Sequence, residues 1–322
     1  MSARSSIKPF TCSGSERDAR RIHVIESVGN TPLYELPNLS KEVAPVRIAV
    51  KAEWCNPGGS VKDRPALNMI LEGEKSGALA KDKIIMDATS GNTGIAYAMV
   101  GAALGYRVRL CVPKNIGALR RRCLEAYGAE LILTDPTLGS DGAIEEAIRQ
   151  YEAHGPDVYF YPNQYGNDAN WQAHYKSTAV EIWNQTSGEI THFVAGLGTS
   201  GTLCGNGRRL KEFNENIKLI SLQPDSPMHG LEGWKHMPTA IVPKIYDDTV
   251  ADEERTVKTE DAQAMCIRLA REEGLQVSPS AGANIHGALQ VARDLDDGLV
   301  VAIGPDGAAK YLDFAFWDRA RA

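Results

Sequence analysis

Short apolar runs recur along the chain, separated by stretches with helical spacing. Val46–Lys51, Ile84–Ala88, Arg107–Val112 and Glu130–Thr134 read as strands, apolar enough to be covered on both faces. Arg64–Ser76 reads as a helix with Leu67, Ile70 and Leu71 on one face. Thr93–Leu104 is a helix of small residues that can pack closely against a sheet. Helices near Gly117–Tyr127 and Asp141–Tyr151 follow the next two strands. The pattern then restarts: strand Val158–Tyr161, helix Asp168–Trp183, strand His192–Ala195, helix Leu203–Phe213 and strand Ile217–Leu222. Residues 224–255 are irregular, with Pro224, Pro227, Pro238 and Pro243, and a loop this long usually has a lid or interface role. Glu260–Glu273 is an amphipathic helix, with Ala262, Met265, Cys266 and Leu269 at helical spacing. Helix Ala283–Leu295 and a buried strand Leu299–Ile303 close the chain. This alternation predicts an α/β protein with parallel strands under helices on both faces. A join between two domains is expected near residues 160–170.

Composition narrows the class. A chain of 322 residues suggests about two domains. Lys and Arg number 35 against 41 Asp and Glu, a net charge of −6, which argues against a dedicated nucleic-acid binder. Hydrophobic residues at 43% and charged residues at 24% suit a globular protein with a sizeable core. No apolar run approaches the roughly 20 residues that span a bilayer. Residues 1–21 are Ser- and Arg-rich without an apolar centre, so they read as a tail or crossing arm rather than a signal peptide. Cys12, Cys55, Cys111, Cys123, Cys204 and Cys266 are scattered with no CxxC pair, which predicts reduced thiols in a cytoplasmic protein and no metal site.

Four loops carry candidate chemistry. Asn56-Pro57-Gly58-Gly59-Ser60-Val61-Lys62-Asp63-Arg64 places a lysine at a helix start, where the dipole disfavours an ammonium. A lysine that must be neutral to form a Schiff base gains from that setting, although a solvated helix start has the same pattern. Thr89-Ser90-Gly91-Asn92-Thr93-Gly94 offers amides and hydroxyls to a carboxylate or phosphate, or simply caps a helix. Gly196-Leu197-Gly198-Thr199-Ser200-Gly201-Thr202 follows a strand and matches G-x-G-x-x-G, which keeps a dinucleotide fold open, with Asp225 as its acidic partner. Its three hydroxyls suit a terminal phosphate dianion better than a passing pyrophosphate. Ser278-Pro279-Ser280-Ala281-Gly282-Ala283-Asn284 opens a helix with an isolated hydroxyl. A lysine, an anion cradle, a phosphate cradle and a hydroxyl together fit pyridoxal 5′-phosphate.

With Gly29-Asn30-Thr31-Pro32-Leu33 and Gln164 added to these blocks, the chain resembles the cysteine synthase family of fold type II pyridoxal-phosphate enzymes over nearly its whole length. The resemblance implies two open, mostly parallel sheets, each covered by helices. It implies a smaller, mobile substrate domain at 46–165 and a larger cofactor domain made of 1–45 and 166–322. Lys62 would form the internal aldimine, and Asn92 would bond the cofactor's ring hydroxyl. Gly198, Thr199, Ser200, Gly201 and Thr202 would hold the phosphate, and Ser280 would face the pyridine nitrogen. Thr89, Ser90, Asn92, Thr93 and Gln164 would take the amino-acid carboxylate. The implied reaction is β-replacement on O-acetylserine or O-phosphoserine through an aminoacrylate. Lys62 removes the Cα proton, and sulfide or another thiol adds to give cysteine. A cystathionine β-synthase or another β-eliminating enzyme of this fold is the alternative. A serine at the ring nitrogen makes a weaker electron sink than an aspartate and favours β-elimination. A homodimer is implied as well.

Two positions depart from the family pattern. Where phosphoserine-using relatives carry a Pro-Arg pair, this chain has Pro224-Asp225. His229, Lys235 and His236 in the following loop offer positive charge, and each reads first as part of a solvated loop. Cys55 replaces an expected aromatic and reads as a small apolar substitute. A sulfur-handling role there would need an exposed thiol of low pKa.

Overall fold

The computed structural model describes residues 23–89 and 91–321. An antiparallel edge strand β1 (Leu33–Glu35) and a one-turn helix α1 (Pro37–Ser40) lead into β2 (Arg47–Ala52). A 3-10 turn (Glu53–Cys55) separates β2 from α2 (Asp63–Lys75). Then come β3 (Ile84–Ala88), α3 (Asn92–Leu104), β4 (Arg107–Pro113), α4 (Ala118–Ala126), β5 (Glu130–Thr134), α5 (Gly139–His154) and β6 (Tyr159–Phe160). A helix in three parts follows: α6 (Ala169–Ala173), a π-helical turn (His174–Thr178) and α7 (Ala179–Gln185). The chain continues through β7 (His192–Gly196), α8 (Gly201–Phe213), β8 (Lys218–Pro224), β9 (Glu253–Val257), α9 (Thr259–Arg268), α10 (Pro279–Ala292) and β10 (Leu299–Gly304).

The strands form two sheets, ordered β1-β2-β10-β7-β8-β9 and β5-β4-β3-β6. Every pairing except β1–β2 is parallel. The central strand β10 is buried along its whole length, as its unbroken Leu-Val-Val-Ala-Ile run requires when helices cover both faces. Residues Thr93–Gly101 of α3 are buried without a break. Their small side chains allow this, and a Cβ at Gly101 would lie 2.4 Å from the Val108 side chain. Apolar side chains fill both sides of each sheet, with Val194, Ile220 and Val300 on one side of the larger and Phe193, Leu219 and Val301 on the other. Ile85, Leu110 and Val112 lie on one side of the smaller sheet, and Met86 and Cys111 on the other.

Strand β2, grouped above with the smaller unit, is hydrogen-bonded between β1 and β10 in the six-stranded sheet. An apolar strand beside an all-buried β10 completes that sheet, and the four-stranded sheet draws on residues 84–160. The strand expected at Val158–Tyr161 pairs only over Tyr159–Phe160. The last long helix starts a turn before Ala283, because Pro279 sits at its first position and Ser278 Oγ accepts the Ala281 amide at 3.2 Å. Ser280 therefore lies inside the first turn of α10. Residues 225–252 hold no helix or strand, as their prolines suggest. Among the described residues, no helix is long and apolar enough to cross a membrane. The proposed crossing arm and Cys12 lie outside the described residues.

Candidate active site

The loops singled out above converge on one cavity of about 470 Å³. It is lined by Lys62, Asn92, Thr93, Gln164, Gly198, Thr199, Ser200, Thr202 and Ser280, drawn from both units. They meet because loops at the carboxyl ends of parallel strands point the same way. Ser90 lies outside the described residues. Thr89 and Gly201 shape the site from behind its wall.

Lys62 is the residue before α2, and its loop is stitched to the end of β10: the Val61 amide donates to the Pro305 carbonyl at 2.7 Å. Burial lowers the Lys62 amine to about 8, while the charge of Asp306 acts in the opposite sense. Such an amine is a far better nucleophile near neutral pH than an exposed lysine.

The anion loop is held from within. Thr89 Oγ1 accepts the amides of Gly91 and Gly94, both at 3.0 Å, so its oxygen caps α3 rather than standing free. Thr93 Oγ1 donates to Gln164 Oε1 at 2.8 Å, and Gln164 Nε2 donates to the Ala88 carbonyl at 2.7 Å. Asp87 receives the Gln164 amide at 3.1 Å and the Tyr97 hydroxyl at 2.9 Å, and burial raises its carboxyl to about 7. Asn92 faces the other way: its Nδ2 donates to Asp306 Oδ2 at 2.8 Å, and its Oδ1 accepts Lys310 Nζ at 2.5 Å.

The Gly198–Thr202 loop fits a phosphate. Its amides stand at the head of α8, at the positive end of that helix. Ser200 takes a left-handed backbone, φ +69°, a strained state for a non-glycine residue and one that clusters at ligand sites. The Ser200 hydroxyl is buried and meets only the weakly bonding Cys204 thiol. A Cβ at Gly198 would stand 2.2 Å from the Gly233 carbonyl oxygen, and one at Gly201 would stand 2.1 Å from Asn170 Oδ1. Thr199 Oγ1 accepts Asn170 Nδ2 at 3.2 Å, and Thr202 Oγ1 lies 3.4 Å from His174 Nε2. The cradle thus brings the amides at the head of α8 and the Thr199 and Thr202 side chains to the cavity, a donor set that matches a phosphate ester.

Arg120 and Asp306 were not named from the sequence, and Lys235 was named there only as part of a solvated loop. Arg120 and Lys235, 5% and 7% exposed, line the cavity and reach across it. Arg120 forks onto Glu232, with Nη2 donating to Oε1 at 2.9 Å, and Lys235 Nζ bonds Asp141 Oδ1 at 2.8 Å. Lys235 is therefore not part of a solvated loop, while His229 and His236 remain half-exposed. Arg120 sits in a run of arginines, Arg120-Arg121-Arg122, which on sequence alone resembles a solvated helix face. Asp306 gave a clearer signal: it follows the last strand in Gly304-Pro305-Asp306-Gly307, the same position as the other functional loops. Cys55 is exposed, but partial desolvation moves its thiol upward, which removes the basis for a reactive thiolate.

Residues 24–306 match the family described as pyridoxal-phosphate dependent enzyme, which defines the class and excludes the dinucleotide reading of the Gly-rich loop. The chain is 48% identical over 303 residues to a cysteine synthase of Aquifex aeolicus, covering 91% of each. It is 39% identical to cysteine synthase B of Escherichia coli, covering 89% of this chain and 93% of that protein. A crystal structure of cysteine synthase from Entamoeba histolytica superposes with a TM-score of 0.88 at 35% identity, covering 96% of this chain and 94% of that one. The chain belongs to the cysteine synthase family of pyridoxal-phosphate-dependent enzymes.

Proposed function

We propose that the protein makes L-cysteine by replacing the β-substituent of an O-activated L-serine with sulfide or another thiol, using pyridoxal 5′-phosphate. The observation that carries this is the cavity itself, where a lysine amine that burial lowers to about 8 stands with the glycine-rich Gly198–Thr202 loop and with Thr93 and Gln164. When bound, the cofactor supplies the electron sink that acidifies the substrate Cα–H and lets the β-substituent leave. Lys62 would hold it covalently, and its Nζ, once free, would serve as the base for the Cα proton. Gly198, Thr199, Ser200, Gly201 and Thr202 would hold the phosphate, Ser280 would meet the ring nitrogen, and Asn92 would meet the ring hydroxyl. Thr89, Ser90, Asn92, Thr93 and Gln164 form the carboxylate loop, which excludes water when it settles onto substrate. The unit carrying that loop is the mobile one in this reading, and the assembly is a cytoplasmic homodimer.

Charge pairing favours the acetyl ester as donor. Arg120 and Lys235, buried cations at the cavity wall, are already matched by Glu232 and Asp141. A phosphate dianion would have to displace a carboxylate to use either, and Asp225 at the end of β8 adds no positive charge. The test is cysteine formation from sulfide with O-acetyl-L-serine, O-phospho-L-serine or L-serine, each at equal concentration. We expect the acetyl ester to exceed the phosphate ester at least tenfold in kcat/KM. A preference for the phosphate ester contradicts the donor choice, and no cysteine from either ester contradicts the function.

A further inference from the structure

Asp306 is fully buried one residue beyond Pro305, between the three loops that build the cavity. Its Oδ2 accepts the Tyr311 hydroxyl at 2.7 Å and Asn92 Nδ2 at 2.8 Å. Ser280 Oγ makes a long contact to Oδ1 at 3.5 Å, and Ser278 Oγ lies 2.9 Å from Ser280 Oγ. Its backbone is a junction as well: residue 306 bridges Ser60 in the Lys62 loop, and its carbonyl accepts the Ser278 amide at 3.1 Å. The carboxylate therefore touches the head of α3 in the smaller unit and the first turn of α10, while the backbone of the same residue bridges the loop that presents Lys62.

Resting on the assignment of Lys62 as the cofactor anchor, we propose that Asp306 is a positioning residue of the reaction. It ties these three loops together and places a fully buried carboxylate beside the loop that presents Lys62. The charged and titratable groups around that nitrogen come from every neighbouring element. Lys310 lies 3.5 Å from Asp306 Oδ2 and partly shields it. Tyr311 follows on the same segment, and Arg120 of α4 lies with its guanidinium 5.4 Å from the Tyr311 ring centroid. Glu232 acts on Tyr311 through its charge, Cys266 of α9 feels Asp306, and His174 feels Lys62. Asp63 stands beside Lys62 on α2 and feels Lys310. Of these, Asp306 is the acid whose charge acts directly on the Lys62 amine and favours its protonated form. An electrostatic role predicts opposite effects from removing the carboxylate and removing its shield, which scaffolding alone does not.

The experiment is a pH titration of the visible absorbance of the bound cofactor in the holoenzyme. Asp306→Asn is expected to lower the midpoint by roughly one pH unit, the scale of a single close charge. Lys310→Met, which unshields the carboxylate, is expected to raise it, and Asp306→Glu to return it to within a few tenths of the parent. An unmoved midpoint in Asp306→Asn, or a fall or no change in Lys310→Met, overturns the proposal. Should Asp306→Asn not fold, the sign of the Lys310→Met shift decides alone. If Lys62→Ala shows the same titration as the parent, the Lys62 assignment itself has failed, an outcome separate from a misjudged Asp306.

Discussion

In the proposed reaction the Lys62 side chain carries the chemistry, and its environment sets when it can act. Burial holds the amine near 8, well below an exposed lysine, so at neutral pH a usable fraction is unprotonated. Only the neutral amine attacks an aldehyde, so uptake of pyridoxal 5′-phosphate by the apoprotein should speed up as pH rises. The expected profile is close to tenfold per pH unit below about 8, then a plateau, read by absorbance after rapid mixing. A rate flat from pH 6 to 8, or still climbing steeply at 9.5, contradicts an amine tuned in this way. Exposed histidines and lysines on the surface do not enter this profile, because they do not face the cavity.

At the scale of elements, the Lys62, Thr89–Gly94 and Gly198–Thr202 loops each join a strand end to a helix start, whereas the Ser280 loop joins two helices. The Gly198–Thr202 loop is tight because β7 leads straight into α8 with no room for side chains at two points. Gly198→Ala drives a Cβ against the Gly233 carbonyl, now 2.2 Å away, so the cradle and the 229–237 loop cannot both keep their places. We expect the cofactor dissociation constant to rise at least tenfold, measured by fluorescence titration of the apoprotein. Unchanged affinity would mean the cradle tolerates a spread that this packing denies. These strand-to-helix junctions were legible in the sequence because glycines, hydroxyls and a lysine mark them and apolar runs flank them. Strands β1 and β9 were not legible. They are short edge strands, and the exposed Glu253 and Glu254 of β9 carry no burial pattern to read. The partners of Arg120 and Lys235 were equally hidden, because Glu232 and Asp141 lie 112 and 94 residues away along the chain. Only the packing of α4 and α5 against the 229–237 loop brings them together. Asp306 falls between these cases: its place after a strand was readable, but its three-loop role was not.

At the scale of the whole molecule, the cavity is a cleft between two sheets fastened by polar ties at its rim. Lys235–Asp141 and Arg120–Glu232 are two of them, and Asn92–Asp306 is a third, deeper one. Lys235→Met removes one tie while leaving Asp141 partly exposed to water, so the fold should survive. A looser rim admits water to the reacting centre, so the variant should consume donor in excess of the cysteine it forms. The ratio of donor lost to cysteine made, close to one in the parent, is the readout, and an unchanged ratio contradicts a closing function for this pair. The proposed chemistry requires covalent attachment of pyridoxal 5′-phosphate to one lysine. Reduction of the holoenzyme with borohydride followed by peptide mapping tests it most directly. The pyridoxyl label is expected on the peptide containing Lys62 and on no other; a label on a different lysine, or none at all, contradicts it.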